Sequence, residues 1–135
     1  MNKISLLLIL VLISIISSCR KDNTEISKLS SGTYYGEKTI YYSDTHYESV
    51  DTITIRFDST TYTYSSSESL DFGKGNYLIK NNSIEFKDEV ARIALYTWDW
   101  ILGGTYKLQM TDDSIMLNQN NSYIQISCRL KRMTK

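Results

Sequence analysis

The chain holds two cysteines, one histidine and two tryptophans, so the side chains able to do distinctive chemistry are few and can each be weighed. Cys19 stands on a boundary. Ile4 to Ile16 is apolar apart from Ser5 and Ser14, Ser17 and Ser18 follow, and charge begins at Arg20 and Lys21. A thiol placed behind two small residues is a nucleophile on backbone that an enzyme can approach closely. Cys128 lies instead in Tyr123-Ile124-Gln125-Ile126-Ser127-Cys128-Arg129-Leu130, where it shares one strand face with Ile124, Ile126 and Leu130. That face predicts a small buried apolar residue rather than a reactive thiol. Asp44, His46 and Glu48 are spaced by two and would share one face of an extended strand, an arrangement that can hold a cation. They fall at a hairpin tip, where polar residues occur without any metal, and no metal is expected. No cysteine–histidine cluster, phosphate-binding glycine loop or nucleophile elbow occurs. The sequence points to no enzyme and no cofactor.

Aromatic residues offer recognition rather than catalysis. All eleven tyrosines follow Ser31, and Trp98 and Trp100 lie in Asp88–Leu102, "DEVARIALYTWDWIL". A tyrosine has an apolar body and a polar tip, which suits a cavity wall or a sugar-stacking surface, although tyrosine is also a favoured strand residue. Tyr77, Tyr106, Trp98 and Trp100 are the candidate ligand-binding residues. In an extended segment both indoles point the same way, as a plug in one end of the fold or as a platform for a partner.

The thirteen or so residues before Ser17 are too few for a bilayer, which needs roughly twenty, and match the apolar region of a secretory signal peptide. Ile16-Ser17-Ser18-Cys19 resembles the bacterial lipobox: an aliphatic residue, two small residues and a cysteine. The resemblance implies a diacylglycerol thioether on Cys19, cleavage before it, and acylation of the new amino group by a chain such as palmitate. An ordinary secretory signal or a retained signal anchor are the alternatives. Several acyl chains hold a protein durably where one is marginal. With Arg20 rather than aspartate in second place, the resemblance also implies the outer membrane rather than the inner. Residues 1–18 are then signal peptide, and residues 19–31 the lipidated cysteine and a flexible tether reaching about 20 Å. Residues 32–135 make one domain. With 15 basic and 15 acidic residues, no charge excess favours nucleic acid.

From Ser31 onward the hydrophobic period is two. Ile53, Ile55 and Phe57 alternate with Thr52, Thr54 and Arg56, and Tyr106, Leu108 and Met110 with Thr105, Lys107 and Gln109. Polar turns such as Lys80-Asn81-Asn82 and Thr111-Asp112-Asp113 separate the runs. The pattern predicts an all-β domain of about eight strands, near 33–43, 47–58, 60–66, 74–80, 83–88, 103–111, 114–118 and 122–131, wound as an antiparallel meander. Closure into a barrel removes the edges, with a two-sheet sandwich as the alternative. Residues 88–102 are expected to form a helical turn or a packed loop across one end.

The order "GTYYG", "TITIRFDSTTYTYSSS", "GKGNYLIKNNSIEF", "WDWILGGTYKLQMTDDSIML", "YIQISCRLKR" resembles the small lipocalin-like lipoproteins of Gram-negative anaerobes. The resemblance implies a barrel that binds a small apolar or amphiphilic ligand. The competing expectation is a non-catalytic interaction module, either a hydrolase inhibitor or an accessory contacting glycan or protein. Asp51-Thr52-Ile53, Asp58-Ser59-Thr60 and Asp113-Ser114-Ile115 also resemble a three-residue O-glycosylation acceptor.

Overall fold

The computed structural model describes residues 28–67, 72–92 and 101–134. Within them the alternating runs become eight strands: β1 (Gly32–Tyr42), β2 (Tyr47–Phe57), β3 (Thr61–Ser66), β4 (Phe72–Lys80), β5 (Ser83–Asp88), β6 (Gly104–Met110), β7 (Ser114–Asn120) and β8 (Ile124–Arg132). Each pairs antiparallel with the next, and β8 returns to pair with β1 from Tyr34↔Arg132 to Tyr42↔Ile124. That last pairing makes a closed barrel and rules out the sandwich. Asn81 and Asn82 both take positive φ, 51° and 57°, in the two-residue link between β4 and β5. Such a link needs left-handed residues to match the strand twist, and asparagine adopts that conformation at low cost.

Followed once around the barrel, the register returns to β4 displaced by about twelve residues. A stagger that large tilts the strands and widens the interior. Inward positions carry the core: Tyr34 and Ile40 on β1, Ile53, Ile55 and Phe57 on β2, Tyr62 and Tyr64 on β3, Ile84 and Phe86 on β5, Tyr106 and Leu108 on β6. Gly36 and Gly75 occupy inward places where an added Cβ would lie 2.0 Å from the Arg129 carbonyl oxygen and 1.9 Å from that of Lys87.

The two ends differ. At the end where β1 begins, Leu29 is only 1% exposed, so packing starts three residues ahead of the boundary drawn from the sequence. Tyr34 meets Phe57 edge-on at 5.7 Å, and Phe57 meets Tyr77 at 5.2 Å. The Tyr34 hydroxyl donates to the Ser30 carbonyl, and that of Tyr77 to the Asp58 carbonyl. Aromatic packing closes this end. At the other end lie the links after β1, β3, β5 and β7. Arg92 Nη2 reaches Asp88 Oδ2 at 2.6 Å and the Phe72 carbonyl at 2.7 Å, which pins the start of the β5–β6 link to β4. The middle of that link, 93–100, and residues 1–27 lie outside the described residues, and with them the expected signal peptide and the end-capping turn.

Candidate functional site: the barrel mouth

Between the ends of β5, β6, β7 and β8 is a cavity of about 560 Å³. Its apolar wall comes from Phe86, Ile101, Ile124 and Ile126, and its polar lining from Lys87, Asp88, Gln119 and Asn121. A volume of this size is that of a small-molecule site. These residues stand here for a local reason. Phe86, Gln119, Ile124 and Ile126 are the inward members of alternating strands at their mouth ends, and Gly104 opens β6 without a side chain to fill the gap.

One residue pair deeper the barrel lining becomes polar. Cys128 follows Ile126 on the inward face of β8, and Lys38 follows Ile40 on β1. Lys38 is 2% exposed and stands in register with Cys128 on one side and Asp51 on the other. Its Nζ lies 5.6 Å from the centre of the Tyr64 ring. The Ser66 hydroxyl donates to Asp51 Oδ2, while Asp51 Oδ1 is buried and accepts no hydrogen bond among the described residues. Tyr106 is fully buried, and its hydroxyl likewise has no hydrogen-bond partner among the described residues. Burial pushes its pKa far above the usual phenol value, and Cys128, Tyr64 and Tyr62 push the same way. The Gly103 backbone is near enough to oppose that shift but does not meet hydrogen-bond geometry. Burial also pushes the Cys128 thiol up to about 12, against the attraction of Lys38. The thiol is therefore neutral and unreactive at physiological pH.

A buried acceptor and a buried donor without partners each cost about 1–3 kcal/mol. A lone aliphatic guest satisfies neither. A hydroxyl or a carboxamide has the means to satisfy either one, donating to Asp51 Oδ1 or accepting from the Tyr106 hydroxyl. Lys38 and Asp51 sit side by side with opposite charge, so the lining as a whole calls for a polar rather than a charged head.

The structure separates the two tyrosines singled out from the sequence. Tyr106 lies under the mouth. Tyr77 lies at the closed end, its hydroxyl bound to the Asp58 and Ser59 carbonyls, with the rings of Phe57 and Phe86 between the two. Trp98, Trp100 and Cys19 fall outside the described residues. His46 Nδ1 shares a 2.9 Å hydrogen bond with the Tyr41 hydroxyl at the exposed tip. Among the described residues no group of three or more His, Cys, Asp or Glu side chains is placed to hold a metal. Of the acceptor-like triplets, Ser59 is exposed in the β2–β3 turn, whereas Thr52 and Ser114 are half-buried. Lys38 and Asp51 were missed from sequence, although a signal was there. Counting by two from Tyr34 reaches Lys38, and counting back from Phe57 through Ile55 and Ile53 reaches Asp51.

No family model matches the chain, and neither a curated protein nor a solved structure matches it.

Proposed function

We propose that the protein is a cell-envelope lipoprotein whose lipocalin-like barrel takes a small amphiphile through its mouth, apolar along its length and bearing a hydroxyl or amide at its inner end. The observation that carries this reading is the cavity of about 560 Å³ at the barrel mouth, walled in part by Phe86, Ile101, Ile124 and Ile126, in a barrel whose buried lining also holds Asp51 Oδ1 and the Tyr106 hydroxyl without hydrogen-bond partners among the described residues. The apolar wall takes the body of the ligand by removing its surface from water, at about 25 cal/mol per Å². The deeper polar atoms favour a polar head, because a guest without matching groups leaves them unpaired. No step in this reading needs a covalent intermediate or a cofactor.

Tyr106→Phe separates the ligand site from ordinary packing. In the ligand-free protein the change removes an unpaired hydroxyl and should leave stability equal to the wild type or higher by about 1 kcal/mol. Native mass spectrometry of protein purified from its own envelope should show a small bound species on the wild type and a reduced fraction on Tyr106→Phe. A wild type that carries nothing, or a variant that carries the same species to the same extent, overturns the reading. It would favour the interaction module instead, for which the dense ring packing of Tyr34, Phe57, Tyr62, Phe86 and Tyr106 is the supporting observation.

The anchor is tested apart from the barrel. Ile16-Ser17-Ser18-Cys19 and Arg20 support lipidation at Cys19 and residence at the outer membrane. Cys19→Ser should leave the membrane fraction and keep its signal uncut by the lipoprotein peptidase. Wild-type partitioning of that variant would refute the anchor and leave the barrel reading untouched.

A further inference from the structure

The outer wall formed by β7, β8, β1 and β2 bears side chains in register. Tyr41 stands between Glu48 on β2 and Gln125 on β8, and Gln125 is paired in turn with Asn120 on β7. The next outward row sets Thr39 beside Ser127 and Asn118, and the one after sets Glu37 beside Arg129. Together these line a groove of about 480 Å³ on the outside of the barrel. The groove is mostly polar, and its ring is held in place, because the Tyr41 hydroxyl is tied to His46 Nδ1 at 2.9 Å.

We propose that this groove binds a neutral oligosaccharide, with a sugar ring against Tyr41 and its hydroxyls bridged by Gln125, Asn120, Asn118 and the Glu37–Arg129 row. A carboxamide presents a donor and an acceptor side by side, which is what adjacent sugar hydroxyls require. Tyrosine adds an apolar ring face with little conformational freedom to lose. Charge selects against the other polymers. Two carboxylates, Glu37 and Glu48, face one guanidinium in the groove, so it offers a polyanion such as nucleic acid or sulfated glycan no cationic track. A protein partner would need a desolvated apolar centre, and this groove has none. Glu37 and Arg129 also border a second, apolar groove toward the closed end, which includes Tyr35. Tyr35 and Tyr41 share the outward face of β1 about 20 Å apart, so the wall suits a chain of sugars more than a single one.

Affinity electrophoresis of the purified full chain in gels containing dextran, laminarin or arabinoxylan tests this directly, with dextran sulfate as the charged comparison. At least one neutral polymer should retard the wild type. Tyr41→Ala and Gln125→Ala should each weaken that retardation tenfold or more at unchanged urea midpoint, whereas Thr54→Ala, farther along the same wall, should not. Tyr106→Phe should leave it unchanged, so the outer site and the barrel site fail or stand separately. The proposal is overturned if no neutral polymer retards the protein, if dextran sulfate is preferred, or if the two groove variants bind as the wild type does.

Discussion

Gly36→Ala is expected to lower the unfolding free energy by about 3 kcal/mol or more, well beyond the 1 kcal/mol typical of a point change. The reason is contact, not glycine flexibility. Gly36 stands in register with Leu130 on the seam where β1 meets β8, and a Cβ there would lie 2.0 Å from the Arg129 carbonyl oxygen. The neighbour is backbone, so it cannot swing aside as a side chain would; the strands must part. Parting at this seam opens the barrel, because the β1–β8 ladder is the pairing that closes it. Gly75→Ala should behave alike, its Cβ meeting the Lys87 carbonyl oxygen on β5 at 1.9 Å. Gly103→Ala is the control: nothing lies within 4 Å of its Cβ, and the change should stay within about 0.5 kcal/mol. Urea midpoints of the three variants decide the matter. A Gly36→Ala protein as stable as Gly103→Ala would mean that the seam is looser than this packing implies.

The second large effect is alkaline. The Cys128 thiol is pushed from its ordinary 9.0 up to about 12 by burial. Between those values the folded state keeps a proton that the unfolded state has released. Its contribution is therefore whole below pH 9 and is lost as pH rises through the window, at about 1.4 kcal/mol per unit. The full loss is on the order of 4 kcal/mol near pH 12. Tyr106 and Tyr62, both raised by burial, push in the same direction above pH 10. Urea melts at pH 8 and pH 11 isolate the thiol when the wild type is compared with Cys128→Ala. The variant starts less stable because it has lost buried volume, but should lose about 3 kcal/mol less between the two pH values. Equal losses would show that the thiol ionises without unfolding, and hence that water reaches it.

Local chemistry made much of this fold legible. The span 83–88 follows from an asparagine turn on one side and an alternation of Ile84 and Phe86 on the other, and β5 occupies those residues. Strand ends moved where a partner decided them. β4 begins at Phe72 rather than 74 because Phe72 pairs with Ser65 and Gly73 with Tyr64, contacts with no local signature. Cys128 was legible as a core residue, since its neighbours at two-residue spacing are Ile126 and Leu130 and burial follows the period.

What the chain could not announce is anything that joins distant strands. A period of two says that Lys38 and Asp51 point to the same side as their apolar neighbours. It does not say that β1 and β2 set them opposite each other, or that β8 brings Cys128 to the other flank. The same holds for which end of the barrel each tyrosine meets. Tyr77 and Tyr106 look equivalent in sequence, each following a glycine-led strand start, yet stagger places one against Phe57 at the closed end and the other beneath the mouth. Side-chain alternation is written residue by residue, because the two faces of a strand follow from backbone geometry alone. Register, closure and the sharing of an interior belong to pairs of residues far apart in the chain, and only the folded barrel sets them.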